Sequence, residues 1–240
     1  MITMQPVVEV NARDGFGLWP VAEFEPGSYL ALGGGLTARE VGTVLMCIAS
    51  CNDVDPGDNG RPPRPADELG SFLHGLLTVD TLFASGGLRV TDTASGALLP
   101  GCCSGLEDWR EWNRVLEIGG QAWFGHDPTP CAERRGDLVR LTVDAERSDS
   151  PVIELPAAAL QRLLAAVEND LVVFLALATE WAARNLPGCA SSVIAALARV
   201  LDIESCSFRS EGPPCSRKEQ PVSSRPVHPP RASNHSWRDG

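Results

Sequence analysis

The chain has 240 residues, a net charge of −11 and eight cysteines. This length is sufficient for a substantial hydrophobic core, and the acidic balance disfavours nucleic acids and anionic membranes because both carry negative charge. The longest apolar run, residues 171–178, is far shorter than the roughly 18 residues of a membrane-spanning helix. We therefore expect neither a nucleic-acid partner nor a membrane partner.

Charge and composition divide the chain near residue 204. Residues 205–240 contain eight serines, six prolines, six basic and three acidic residues. Their net charge of +3 leaves −14 for residues 1–204, and such a composition buries too little apolar surface to fold alone. We predict one domain over residues 1–204 and a disordered tail over residues 205–240, and the acidic domain suits a basic protein partner.

The N-terminal residues lack the basic region and the long apolar stretch of a secretory signal. We predict a cytoplasmic location, where cysteines remain mostly reduced thiols.

The first half of the chain alternates between short apolar segments and helix signals. Residues 5–11 and 29–32 are predicted strands. Thr37 and Glu40 have the spacing of a capping box, Thr-x-x-Glu, which predicts a helix over residues 38–50. Further predictions are a helix over residues 66–77 and a hairpin of residues 87–93 with 97–99.

A second capping box, Ser104 and Glu107, predicts a helix that follows two adjacent cysteines. Its apolar stripe consists of Leu106, Trp109, Trp112 and Leu116.

The remaining predicted strands cover residues 121–124, 137–145 and 152–155, with the last two paired. Pro156 suits the first turn of a long helix, and a last helix is predicted over residues 190–202. The long helix has an apolar heptad stripe typical of a central core helix: Leu160, Leu164, Val167, Leu171, Phe174, Ala178 and Trp181. The predicted fold is α+β, a small, mostly antiparallel sheet with helices packed on one face and a long C-terminal core helix.

The adjacent thiols of Cys102 and Cys103 are the strongest candidates for reactive chemistry. A helix N-terminus lowers a thiol pKa and favours the nucleophilic thiolate, and His126 is the available catalytic base. Two observations oppose this reading: cysteine is often buried as a small apolar residue, and Glu107 and Asp108 add negative charge nearby. Burial in the core is therefore the favoured interpretation.

Two further patterns predict weaker sites. Cys47 and Cys51, one helical turn apart, suggest zinc together with Cys102, Cys103, Cys131 and His126, but the paired spacing of structural zinc sites is missing. Residues 33–38 fit the glycine pattern of a phosphate-binding turn, although a plain glycine-rich turn before a capped helix is the better explanation. We expect no cofactor and no bound metal.

Three tryptophans, Trp109, Trp112 and Trp123, lie close together in the sequence around the predicted cysteine helix. Core packing is the simplest role, and an exposed face among them would mark a ligand or partner surface.

No set of motifs covers enough of the chain to indicate a family. The acidic body and the incomplete catalytic set favour a non-enzymatic protein-interaction module of the adaptor or immunity type. The alternatives are a thiol-dependent enzyme or redox sensor that uses Cys102, Cys103 and His126, and a zinc-stabilised domain.

Overall fold

The computed structural model describes residues 1–11, 15–57 and 60–203. The predicted tail over residues 205–240 lies outside this part of the chain. The α+β class is confirmed, and the strands divide between two sheets. The strands are β1 (Ile2–Val10), β2 (Ser28–Ala31), β3 (Gly86–Asp92), β4 (Gly96–Leu98), β5 (Gln121–Trp123), β6 (Cys131–Arg135), β7 (Leu138–Thr142) and β8 (Val152–Pro156).

The helices pack around one continuous core of buried apolar side chains. They are α1 (Ala38–Cys51), α2 (Glu68–Thr78), α3 (Ala157–Asn185) and α4 (Ala190–Val200), and a 3₁₀ helix spans Leu106–Leu116.

The first sheet has the strand order β2-β1-β3-β4 and is antiparallel throughout. Strand β1 is central because its valine-rich sequence suits a strand that has neighbours on both edges. It pairs with β2 near its C-terminal end and with β3 along most of its length. The predicted hairpin is confirmed as the β3–β4 pair.

The second sheet is a meander in which β5, β6, β7 and β8 pair in chain order. The predicted pairing of the last two strands is confirmed, with Leu141 opposite Ile153. Strand β6 was not predicted, because its sequence, Cys-Ala-Glu-Arg-Arg, does not alternate between apolar and polar residues. In the structure only its first two residues are buried. Its neighbours β5 and β7 determine its conformation.

Two helix predictions are confirmed in detail. At the start of α1 the Glu40 amide donates to the Thr37 hydroxyl at 3.3 Å, and the Thr37 amide donates to the Glu40 carboxylate at 2.7 Å. This is the reciprocal pattern of a capping box. Every member of the predicted heptad stripe of α3 is buried, so α3 is the central core helix of the described residues.

The predicted helix after Ser104 differs from expectation. It is a 3₁₀ helix that begins at Leu106, and no side chain caps it. The Glu107 carboxylate instead accepts a hydrogen bond from the Ala84 amide at 2.9 Å. The buried residues recur at every third position, which is the period of a 3₁₀ helix: Leu106, Trp109, Trp112 and Val115.

The glycine-rich turn before α1 packs closely against α3. A Cβ atom on Gly34 would lie 2.9 Å from the Val173 methyl group, and one on Gly33 would lie 3.8 Å from an Asp170 carboxylate oxygen. At position 34 the lack of a Cβ atom therefore allows this close packing, whereas the distance at Gly33 is an ordinary contact. The neighbouring carboxylate of Asp170 repels anions, so this geometry does not favour the phosphate-binding reading.

Asn52 at the end of α1 links this helix to the start of the first sheet. Its buried side-chain amide donates to the Ile48 carbonyl at 2.7 Å and to the Phe83 carbonyl at 2.8 Å. Its side-chain oxygen accepts from the Phe83 amide at 3.0 Å. The side chain therefore satisfies three backbone groups that have little access to water.

We expect Asn52→Ala to lower the free energy of unfolding by about 1–3 kcal/mol, since it leaves buried backbone groups without partners. Urea denaturation monitored by tryptophan fluorescence measures this change. Asn113→Ala is the matched control, because that amide is exposed on the 3₁₀ helix, and it should shift stability by less than about 0.5 kcal/mol. Equal effects of the two variants would contradict this role of Asn52.

Candidate functional site

Two loops meet where the two cysteines lie. The Gly101 amide donates to the Phe124 carbonyl at 2.8 Å, and Cys102 and His126 exchange backbone hydrogen bonds of 2.6 and 3.1 Å. A Cβ atom on Gly101 would lie 2.2 Å from the Pro128 carbonyl oxygen, and Gly125 has a φ of 99°. Only glycine at these two positions allows so close an approach of the backbones.

The same cysteine segment is also attached to the first sheet. The Gly86 amide donates to the Ser104 carbonyl at 3.1 Å, and the Leu106 amide donates to the Ala84 carbonyl at 2.8 Å. Cys103 lies between Cys102, which is bonded to His126, and Ser104, which is bonded to Gly86. Its φ is 63°, an uncommon value for a residue with a side chain. Residues 101–106 therefore connect the two sheets and fix the position of both thiols.

Cys102 and Cys103 are both exposed, so the interpretation of this pair as buried core residues is wrong. Their Sγ atoms lie 3.4 Å apart, and both lie within 4.8 Å of a ring nitrogen of His126. Asp127 is also part of this cluster. The Asp127 carboxylate lies 3.1 Å from Nδ1 of His126 and therefore holds a proton on that nitrogen.

The hydrogen bond between the two thiols shifts their pKa values in opposite directions. Hydrogen bonds from Cys102 and then from His126 lower the pKa of Cys103. The hydrogen bond with Cys103 raises the pKa of Cys102, and the Asp127 and Glu9 charges add to this effect. Hydrogen bonds to Asp127 and Cys103 raise the pKa of His126. Deprotonation is therefore favoured at Cys103 over Cys102, and the neighbouring contacts favour the protonated form of His126.

The source of this activation differs from the prediction. The 3₁₀ helix starts at Leu106, three residues beyond Cys103, and the Cys102 amide is directed at the His126 carbonyl. Contacts with Cys102 and His126, rather than a helix N-terminus, lower the pKa of Cys103. Glu107, which was expected to oppose the thiolate, turns away to the Ala84 amide.

A groove of about 490 Å³ opens beside Cys103, a size typical of ligand sites, which span roughly 300–1,000 Å³. One wall is the 3₁₀ helix and the other is β5 with the two residues that follow it. Trp112 stacks on Phe124 with ring centroids 3.9 Å apart, and both are buried. Trp123, on the same groove, is 54% exposed, so one of the three clustered tryptophans presents an accessible face.

The other cysteines of the described residues have different environments. Burial raises the pKa of Cys47 to about 11, and burial also raises those of Cys51 and Cys189. Cys131 is buried in β6. The raised pKa values of Cys47, Cys51 and Cys189 make these three thiols poor nucleophiles at neutral pH, because the thiolate is the reactive form.

The zinc hypothesis finds three of its residues together. The donor atoms of Cys102, Cys103 and His126 lie within 4.8 Å of one another, and no fourth Cys, His, Asp or Glu in the described part of the chain joins this group. A structural zinc site uses four protein ligands. Cys131, which the hypothesis included, is not in the group.

No role was predicted from the sequence for Asp127, Gly101 or Gly125. Asp127 follows His126 directly, and adjacent side chains normally point apart; its φ of 50° brings it back to the imidazole. Each glycine directly precedes a candidate site residue, Gly101 before Cys102 and Gly125 before His126. A glycine before each of two candidate residues is the sequence pattern that could have indicated a close approach of the two backbones.

No protein family, curated protein or solved structure matches the chain. Within residues 1–11, 15–57 and 60–203, none of the helices is both long and apolar enough to cross a bilayer.

Iodoacetamide at neutral pH should alkylate Cys103 first and Cys47 last, because the thiolate fraction differs. As the pH rises, the rate at Cys103 should level off below the range in which an ordinary cysteine ionises, since its pKa is lowered. Peptide mass spectrometry with time gives the order and the rates. His126→Asn should slow labelling of Cys103 several-fold and leave Cys189 unchanged; equal rates in both proteins would contradict the role of His126.

Gly101→Ala should separate the cysteine loop from His126, because the added methyl group meets the Pro128 carbonyl and the His126 backbone. Labelling of Cys103 should then fall to the rate of an unassisted thiol. Gly35→Ala is the matched control, since a Cβ there meets nothing within 4 Å. Unchanged labelling in a folded Gly101→Ala protein would show that the close approach is not required.

Proposed function

We propose that the chain is a redox-responsive dithiol protein in which Cys103 reacts with a hydroperoxide and Cys102 resolves the product to a disulfide. The observation that carries this proposal is the pair of exposed sulfurs 3.4 Å apart beside an imidazole. Redox-sensing cysteines are typically accessible, rich in thiolate and next to a resolving cysteine. The lowered pKa of Cys103 and its contact with His126 support this assignment.

The first step oxidises Cys103. Its thiolate attacks the terminal hydroperoxide oxygen, the O–O bond breaks, and the alkoxide takes the imidazolium proton of His126 to leave as an alcohol. The sulfur has then lost two electrons and is a sulfenic acid.

The second step forms the disulfide. Neutral His126 accepts the proton of Cys102, and the resulting thiolate attacks Sγ of Cys103. The S–O bond breaks, and the hydroxide takes the proton from His126 to leave as water. Asp127 keeps the imidazole oriented in both steps through its bond to Nδ1.

A disulfide between adjacent residues is strained. Their Cα atoms are about 3.8 Å apart across a trans peptide, whereas disulfides normally join Cα atoms roughly 4.4–6.8 Å apart. Strain makes such a bond easy to reduce, which is characteristic of regulatory rather than structural disulfides. The proposed oxidation is therefore readily reversed, and the predicted cytoplasmic location fits because thiols that reverse it are abundant there.

The test is oxidation with a small excess of hydrogen peroxide followed by peptide mass spectrometry. The wild-type protein should lose two hydrogens, mapped to Cys102 and Cys103, and recover them with glutathione. Cys102→Ser should stop at a Cys103 sulfenic acid that dimedone traps, and Cys103→Ser should give neither product. Cys189→Ser is the matched control and should behave as wild type.

Two results would overturn this proposal. One is a peroxide product at another cysteine while Cys102 and Cys103 remain reduced. The other is stoichiometric zinc in the purified protein that is lost in Cys103→Ser, which would favour the zinc hypothesis instead. The interaction-module hypothesis remains compatible with a redox site, because the groove beside Cys103 offers a surface for a partner.

A further inference from the structure

We infer that the groove beside Cys103 binds an extended, basic polypeptide segment that carries a pair of cysteines, and that the oxidised dithiol passes its disulfide to this segment. This inference rests on the proposed function and names its partner. Three features of the groove carry it: a free strand edge, an aromatic wall and an unpaired carboxylate.

The free edge belongs to β5, which among the described residues pairs with β6 alone in its sheet. The Arg134 amide donates to the Gly120 carbonyl at 2.8 Å and the Phe124 amide donates to the Pro130 carbonyl at 3.0 Å. Even-numbered residues therefore direct their backbone groups to β6, and Gln121 and Trp123 direct theirs away from it. Both residues line the groove, so an added strand would find unpaired donors and acceptors there.

The aromatic wall favours an occupant with an apolar body. The stacked pair Trp112 and Phe124 is buried behind the groove and gives it a rigid wall. The half-exposed ring of Trp123 offers a face to a cationic or apolar side chain. Exposed tryptophan is a common anchor for polypeptide partners.

The charge of the groove selects a basic occupant. Glu111 and Arg114 neutralise each other in an ion pair of 2.8 Å. Asp108 lines the same groove, is exposed, and forms no ion pair with any described residue. A lysine or arginine of the bound segment would supply the missing cation, in agreement with the excess of acidic residues in the domain.

Transfer of the disulfide requires two thiols of the partner. The first partner thiol gives its proton to neutral His126, and its sulfur attacks Sγ of Cys103. The Cys102–Cys103 bond breaks, and Cys102 leaves with the proton from His126. The second partner thiol then gives its proton to His126 and attacks the first partner sulfur in the mixed disulfide. A disulfide forms within the partner, the bond to Cys103 breaks, and Cys103 leaves as the thiolate beside the imidazolium. The partner is oxidised to a disulfide and the dithiol is restored.

The probes are two synthetic dithiol peptides of the same length, one with arginines and one with glutamates beside the cysteines. Stopped-flow tryptophan fluorescence gives the rate at which each reduces the peroxide-oxidised protein, and dithiothreitol serves as a small uncharged reference. The ratio of the two peptide rates is compared among wild type, Asp108→Asn and Asp80→Asn. Asp80 is an exposed acid that does not line the groove, so this variant controls for net charge, and the comparison of ratios cancels intrinsic differences between the peptides.

We expect the arginine-to-glutamate ratio to be about 5- to 10-fold higher in wild type and Asp80→Asn than in Asp108→Asn, and to shrink in high salt. An arginine peptide with N-methylated backbone amides should lose several-fold in rate in all three proteins, because it cannot add a strand to β5.

Equal ratios in the three proteins, with normal reduction by dithiothreitol, would overturn the inference and leave the proposed function standing. A dimer linked through Cys103 that excludes both peptides would also overturn it and assign the groove to a second copy of this chain. Failure of the proposed function is distinct, since the oxidised protein would then contain no Cys102–Cys103 disulfide to reduce.

Discussion

The site depends on the close backbone approach of two loops, in which Cys102 and His126 exchange two hydrogen bonds. Glycines precede both residues, and a methyl group on Gly101 would collide with the opposing chain. Because residues 101–106 are also bonded to the start of β3, this contact joins the two sheets and fixes the thiols at the junction between them. The same few backbone hydrogen bonds therefore hold the two sheets together and position the thiols.

Two cysteines of the described residues, Cys47 and Cys103, differ in their chemistry because their environments differ. Cys47 is buried in α1, and desolvation disfavours its thiolate so strongly that its pKa rises to about 11. Cys103 is exposed and exchanges hydrogen bonds with a second thiol and an imidazole, which stabilise the charged form. The same residue type is thus a desolvated, buried side chain in one place and an exposed, more readily ionised thiol in the other.

The groove owes its charge pattern to the 3₁₀ helix. With three residues per turn, positions three apart lie in a straight row along this helix. One row is buried from Leu106 to Val115, and another places Asp108, Glu111 and Arg114 along the groove. In an α-helix, at 3.6 residues per turn, each step of three would fall about 60° short of a full turn. Neither row would then stay on its own face.

Local sequence signals determined much of this protein. The capping box of α1, the hairpin of β3 and β4, the heptad stripe of α3 and the α+β class all follow from spacing within short segments, where neighbouring residues decide the outcome. The grouping of Cys102, Cys103 and His126 as candidates also came from the sequence. Only the tertiary structure decided that the thiols are exposed, that Asp127 reaches the imidazole, and that β6 is a strand. These features depend on contacts between segments that are distant in the chain, or on unusual backbone angles. Such contacts stabilise the fold only after the segments have come together, so no pattern within a short segment predicts them.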